Sequence, residues 1–557
     1  MNINCQVIYV QYIDNIKSLC YHPSVTWNIS CSHFVVHTKL STLTIRLQDD
    51  ETTRLKKRNM TRTEIPTALV IGAGIGGIAV AARLAQQGYQ VTVVEKNAEP
   101  GGRCGRLLLD GHRFDTGPTL FLMPEVFAET YAALGQRMEE HLSLHRVDPT
   151  YRIRFSDGVE MSMTADLNHM KIQLEAIEPG SFGGYLSYLN EGHRHYNTSL
   201  ERFVGRNFYS LFDYFSPANL PLLFQLKALQ KHYSNLGNYF TDPHLKAALT
   251  FQNMYLGLSP YDAPATYSLL QYTELADGVW FPAGGLYRVI ESLVSIAESL
   301  GAQFLYDAPV EAIEVNGNHA TGVRLNDGYR LTADVIVANA DLPYVYQNLL
   351  PKSSLGSRLE DGRYTCSAIT FYWGINKVYP QLQPHNVFLS TNYRASFDRI
   401  FRDHTLPDDP SFYVHAPARI DPSAAPQGQD SLMVLVPVGH LNPERSQNMD
   451  ALVKSARYAV LGRLSQLGMP DLEQNIKFEV EYSPKTWQNL YNLVHGAAFG
   501  LSHDFWQVGY LRPKNRHQRY RNLYFVGAST HPGTGLPIVL LSARLTSERI
   551  FKEIQVS

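Results

Sequence analysis

The stretch that most constrains this chain is residues 67–103, TALVIGAGIGGIAVAARLAQQGYQVTVVEKNAEPGGR. Residues 68–71 are an apolar run that predicts a buried strand, and Gly72, Gly74 and Gly77 follow it in G-x-G-x-x-G spacing ahead of a helix. Gly72 permits the tight turn, Gly74 lets a pyrophosphate approach the backbone, and Gly77 lets the helix pack on the strand. The helix N-terminus attracts the anion, because its first N–H groups have no partner within the helix. A second strand, 90–94, ends at Glu95, an acid at the spacing where a carboxylate holds a ribose hydroxyl. A glycine-rich turn in an ordinary core has no need of strand, helix, second strand and terminal acid in that order.

Gly101, Gly102 and Arg103 come straight after, and FDTGPT follows at 114–119. A nicotinamide dehydrogenase does not need either. The second strong signal closes the chain, NLYFVGASTHPGTGLPIVLLSARLTSERI at 522–550. Residues 524–526 predict a buried strand, Gly527 turns it, and Gly533, Gly535 and Pro537 lead into a helix whose first position suits a proline. Alone this would be a generic strand, turn and helix. Paired with the N-terminal fingerprint, it predicts the other side of one nucleotide site.

The chain is long enough, at 557 residues and 44% hydrophobic, for two or more packed units with a sizeable core. A formal net charge of -2 gives no electrostatic case for nucleic acid. Cys5, Cys20, Cys31, Cys104 and Cys366 form no CxxC pair, which favours a reducing compartment without disulfides or structural zinc. Cys104 reads as a small buried filler close to the cofactor.

Residues 1–59 differ from the rest. They hold three of the five cysteines, lack a sustained period and end in RLKKR at 54–58, which reads as a solvated tail. No signal-peptide pattern is present, a transit role stays open, and Met60 is the expected natural start. No run of eighteen apolar residues exists, so a soluble or peripheral protein is expected.

Residues 123–134 predict a helix, 151–163 a strand pair turning at 156–158, and 174–240 a largely helical, aromatic-rich region. Within it, 211–233 combines apolar residues with Lys227 and Lys231 and could either dip into a bilayer surface or cover the protein's own core. The chain is expected to re-enter the nucleotide sheet near Gln303 and again at 310–315, with a strand pair turning at 326–328 and a last strand at 335–338. Residues 345–500 alternate strands and helices without a motif of their own, including the strand SLMVLVPV at 431–438.

The GGR and FDTGPT strings resemble the superfamily of flavoprotein amine oxidases and carotenoid desaturases. Residues 66–550 resemble more narrowly the bacterial and fungal phytoene desaturases of the CrtI type. The strings that carry this are FDTGPT, EGHRHY (191–196), LGLSPYDAPATYSLLQYTELADGVWFPAGGLYRV (256–289), SFYVHAPARIDPSAAP (411–426), VLVPVGHL (434–441) and GASTHPGTGLP. Fungal members tend to carry a hydrophobic C-terminal anchor, whereas this chain stops at Ser557, so the expected membrane attachment is peripheral and cytoplasmic.

The resemblance implies an α/β fold: a Rossmann-like FAD-binding domain from 66–150, 278–345 and 505–557, beside a mixed α+β substrate domain from 151–277 and 346–504 with a helical membrane-facing region. It implies 335–338 as the edge of the FAD domain. It implies FAD contacts from Gly72, Gly74, Gly77, Glu95, Lys96, Gly102, Arg103, Val310, Gly527, Gly535, Leu536 and Pro537. The implied reaction is successive dehydrogenation of phytoene to neurosporene or lycopene, with oxygen or quinone as electron acceptor. Hydride leaves an allylic carbon and a neighbouring proton is then lost from a delocalised cation, which needs no strong base. No metal site is expected, and a homo-oligomer is compatible.

Two residues are candidates for a catalytic role. Asp213 lies where the family has been suggested to place an acid, although a solvated or capping aspartate reads equally well. His531 lies in the turn beside the expected flavin ring, where backbone support and proton transfer are both open. His193 and His195 read as structural hydrogen-bonding residues. The basic stretch 513–521 reads as a solvated loop, with headgroup contact as the alternative. The functional alternatives are another carotenoid oxidoreductase (3,4-desaturase, ketolase or isomerase), an amine oxidase, or a flavin-binding assembly factor.

Overall fold

The computed structural model describes residues 65–554, which form one compact unit. The expected extension 1–59, the expected start at Met60 and the final residues 555–557 lie outside them.

Alternation along Thr67–Ile71 sets up the first half of the fold. Ala68 and Val70 point to one face of a sheet and Leu69 and Ile71 to the other, and all four are buried. A strand buried on both faces belongs inside a parallel sheet. It sits at the centre of a five-stranded one, in the order Leu523–Phe525, Val335–Ala338, Thr67–Ile71, Gln90–Val94, Gln303–Leu305, with every pairing parallel. Helices Ile75–Gln86, Tyr287–Ser299 and Leu536–Ile554 cover the Ala68 face. The Leu69 face is covered by a three-stranded antiparallel sheet, Val310–Asn316, His319–Leu325 and Arg330–Thr332.

Two expectations are corrected here. Val310–Asn316 does not re-enter the nucleotide sheet, because its backbone pairs antiparallel with His319–Leu325 and so belongs to the separate three-stranded sheet. Val335–Ala338 is interior rather than an edge, since Leu523–Phe525 pairs beyond it.

The second half is a seven-stranded mixed sheet, ordered Ile476–Tyr482, Ser367–Ile375, Asp430–Val438, Phe412–His415, His385–Leu389, Tyr151–Phe155, Glu160–Met163. Ser367–Ile375 is buried at all nine positions, so its neighbours must cover both faces. Helix Met449–Gln466 packs on one side, and the aromatic cluster around Phe114 and Tyr372 fills the other.

The aromatic-rich region is helical but broken. Helix Ser181–Ser199 is long, whereas 211–233 holds only Leu211–Tyr214, Leu220–Gln225 and the start of His232–Leu236. Pro217 and Pro221 interrupt it, each lacking the N–H a continuous helix requires. Phe212, Phe224 and Leu229 project outward, at 85%, 76% and 71% exposure, while Tyr214 and Leu226 are buried. Among the described residues no helix is long and apolar enough to cross a membrane.

Candidate active site

The strand order reverses beside Thr67–Ile71, and in such sheets the crevice at the carboxyl ends of the strands takes the ligand. Here that crevice opens into a cavity of about 650 Å³. Gly72, Gly74, Glu95, Lys96, Gly102, Arg103, Val310, Gly527, Gly535, Leu536 and Pro537 all line it. Segments separated by more than four hundred residues therefore face one space. Gly77 does not line it; a Cβ there would lie 2.1 Å from the Gly72 carbonyl oxygen, so this glycine serves the packing of helix on turn.

Asn339, at the end of Val335–Ala338, organises the glycines. Its Nδ2 donates to the Gly72 carbonyl at 3.2 Å, and a Cβ on Gly74 would meet that nitrogen at 2.8 Å. A Cβ on Gly76 would lie 2.7 Å from Asn339 Oδ1 and 2.8 Å from Val539 Cγ1, so the two helices that open on the cavity can approach only over a bare backbone. Gly101 N–H donates to the Ala73 carbonyl at 2.8 Å and bridges to Gly74, which draws the GGR turn onto the first helix. Gly102 itself has φ +55, a conformation that glycine adopts freely.

Glu95 is held from both sides. Ala73 N–H donates to Oε2 at 2.7 Å, and the Asn97 backbone and side-chain nitrogens donate to Oε1 at 2.9 Å each. Lys96 reaches across to the Asn489 carbonyl at 2.6 Å and Asn492 Oδ1 at 2.8 Å, which pins its ammonium on the opposite wall. Arg103 bonds the Ala498 carbonyl at 3.1 Å, with the buried Asp341 carboxylate as the nearby charge. Asp341 Oδ2 and Thr116 Oγ1 are buried without a partner, and both residues line the cavity. Two glycine-opened helix N-termini, an acid at the second strand end, a buried arginine and orphaned polar atoms fit a dinucleotide.

The FDTGPT string has a second task. Asp115 is buried and accepts from Leu286 N at 2.9 Å and Tyr287 N at 3.0 Å, tying this segment to the turn before helix Tyr287–Ser299. Burial pushes its carboxyl up to about 6.

His531 lines the cavity, and its Nε2 lies 2.9 Å from the Arg206 carbonyl. A carbonyl only accepts, so Nε2 carries the proton. Burial lowers the ring to about 4, which keeps it neutral at pH 7. Asp213 is half-buried on Leu211–Tyr214 and does not line the cavity; its carboxylate lies 3.5 Å from Tyr209 N, while its neighbour Tyr214 is part of the lining. His195 is buried between Ser268 Oγ at 2.7 Å and the Gln225 carbonyl at 2.9 Å, and His193 meets Asn197 at 3.1 Å and the Tyr272 ring. Cys104 and Cys366 are buried free thiols, both raised by burial.

Beyond the glycines the same cavity becomes apolar, lined by Leu120, Phe203, Leu223, Met254, Leu269 and Phe388 among others. Phe505 and Val508 line it next to Trp506, which is 71% exposed. Neither Asn339 nor Gly76 was singled out from sequence. A polar residue closing an all-apolar strand was the available signal for Asn339.

Residues 75–551 match the family model described as flavin containing amine oxidoreductase. The chain is 49% identical over 484 residues to a zeta-carotene-forming phytoene desaturase of Myxococcus xanthus, covering 86% of this chain and 93% of that one. It is 44% identical over 510 residues to a phytoene desaturase of Fusarium fujikuroi, covering 87% and 89%. Among solved structures it is similar in fold to putrescine oxidase, with a TM-score of 0.58 at 16% identity, covering 88% of this chain and all of that one. The cradle and these matches make FAD the cofactor. The chain belongs to the flavin containing amine oxidoreductase family, within its branch of CrtI-type phytoene desaturases.

Proposed function

We propose that this protein is an FAD-dependent phytoene desaturase that introduces double bonds into phytoene to give neurosporene or lycopene. The observation that carries the reading is the single cavity with a dinucleotide cradle at one end and an apolar passage at the other. Relatives at 44% and 49% identity that are named phytoene desaturases support it. When bound, FAD accepts the hydride. The chain's own residues hold the cofactor through Gly74, Glu95 and Arg103, and the apolar lining fixes a polyene beside it and excludes water. The neutral His531 holds the turn around Gly533 and Gly535 in place through Arg206. Asp213 steadies the loop at Tyr209.

Residues 66–150, 278–345 and 505–554 then serve as the FAD domain, and 151–277 with 346–504 as the substrate domain. Phe212, Phe224, Leu229 and Trp506 are the surface that meets membrane lipid, because the segments carrying them also line the cavity and a polyene is stored in bilayers. Oxygen or a quinone would be the electron acceptor. Another carotenoid oxidoreductase of the same branch is the competing assignment. Anaerobic mixing of the FAD-loaded protein with phytoene in liposomes decides between them: flavin bleaching together with new polyene bands supports desaturation of phytoene. Bleaching by a later carotenoid but not by phytoene rejects it.

A further inference from the structure

One wall of the apolar cavity carries a polar chain that cofactor binding does not use. Tyr255 lines the cavity and is only partly covered. Its hydroxyl donates to the Tyr151 hydroxyl at 2.5 Å, and Tyr151 in turn donates to Glu274 Oε1 at 3.0 Å. The other carboxylate oxygen accepts from Gln252 Nε2 at 3.2 Å. Tyr151, Gln252 and Glu274 are all buried, at 1 to 2% exposure. A buried carboxyl without a cation costs stability that an apolar residue of similar size would not. The three hydroxyl and carboxyl groups are strung in one direction, from cavity wall to interior. Both hydroxyls donate inward, and the outermost, on Tyr255, belongs to the residue of the three that lines the cavity.

We propose that Tyr255, Tyr151 and Glu274 form the proton exit of the desaturation, with the Tyr255 oxygen as the group that touches substrate and Glu274 as the terminal acceptor. The inference rests on the functional reading above. Once hydride has left the polyene, the neighbouring C–H bond breaks and its electron pair becomes the new double bond. The proton goes to the Tyr255 oxygen, while the Tyr255 proton moves to Tyr151 and the Tyr151 proton to the Glu274 carboxylate. One proton enters the chain and one is bound at its end, so charge balances with the hydride already removed. The cation is acidic enough that tyrosine oxygens suffice as relay points, and the direction of transfer is set by the carboxylate at the end.

The surroundings define the expected pH dependence. Burial raises the Glu274 carboxyl to about 8, opposed by the hydrogen bonds it accepts from Tyr151 and Gln252. The titratable groups packed around the chain are Tyr188, Tyr413 and His385: Tyr413 and Tyr188 are tyrosines raised by burial, and His385 is held neutral by burial and by its stacked neighbour His415. The acceptor form of Glu274 therefore gains population as pH rises through about 8.

The test uses FAD-loaded protein with phytoene in liposomes, comparing wild type, E274Q and Y255F from mildly acid to alkaline pH. The wild-type rate should climb through about pH 8, while E274Q stays flat and falls roughly a hundredfold behind on the alkaline side, the low end of what a positioned proton acceptor contributes. Y255F, which keeps the ring and so the packing, should lose the same pH-dependent component. A second readout needs no turnover. The infrared carbonyl band of a protonated buried carboxyl should be present at neutral pH, vanish above about 8, and be missing in E274Q. An active wild type with an unchanged profile in folded E274Q or Y255F overturns the relay alone. Wild type that binds FAD but leaves phytoene unchanged overturns the functional reading, and the relay with it.

Discussion

The backbone N–H of Ala73 donates to the Glu95 carboxylate at 2.7 Å, so the acid ending the second strand is bonded to the glycine turn that ends the first. The two parts of the dinucleotide fingerprint are thus one hydrogen-bonded unit. Three N–H donors converge on the two carboxylate oxygens. A glutamine must turn its amide N–H toward at least one of these donors, leaving a buried donor unpaired at a cost of about 1–3 kcal/mol. E95Q should therefore bind FAD roughly tenfold or more weakly and melt lower, read by flavin fluorescence titration and a thermal scan. Unchanged FAD affinity would contradict this role.

Glycines in two helices should respond oppositely to alanine. At Gly77 the added Cβ would lie 2.1 Å from a backbone oxygen, so G77A should lose about 3 kcal/mol, the upper range for overpacking. Gly183 is exposed within Ser181–Ser199 and nothing lies within 4 Å of its added Cβ, so G183A should gain about 0.5–1 kcal/mol. Denaturant midpoints measure both. A G77A midpoint at or above wild type would show that packing at the turn is looser than described.

The exposed aromatic residues should govern vesicle binding. Replacing Phe224 or Trp506 by serine removes apolar area that a bilayer would cover, worth about 1.5–3 kcal/mol, or roughly ten- to a hundredfold in partitioning. Flotation with liposomes gives the number, and FAD content checks that the fold survives. Retained flotation in the double variant would place the membrane contact elsewhere.

Buried histidines should make the protein acid-sensitive. His232 is bonded to Tyr188 at 2.7 Å and to Asn253, and burial lowers it to about 4 from 6.5. Between those values the unfolded chain binds the proton and the folded chain does not. Its contribution is complete above about 6.5 and is lost as pH falls toward 4. In H232Q the slope of Tm against pH across that window should be shallower than in wild type. An equal slope would mean that His232 does not remain neutral in the folded state.

What the sequence could reveal followed its spacing. The cradle was legible where its parts are contiguous, from Gly72 to Arg103 and from Gly527 to Pro537, because turn geometry there depends on local glycines. Asn339 contacts Gly72 across 267 residues, and no local pattern marks a side chain that works only through a sheet neighbour. Val310–Asn316 had a strand composition that fits either sheet, and its hairpin with His319–Leu325 decided between them. The segment 211–233 had too imperfect a period to predict its breaks, although its prolines mark them. The chain joins Glu274 to Tyr151 on one other element and to Gln252 and Tyr255 on a second, so nothing in any one segment announced it.

The decisive measurement is product analysis of the purified protein incubated with FAD and phytoene in liposomes, resolved by chromatography and absorbance. New long-wavelength polyenes should form that require FAD and disappear in a G74V variant, whose added side chain collides with Asn339. Phytoene recovered unchanged from protein with FAD fully bound would contradict it.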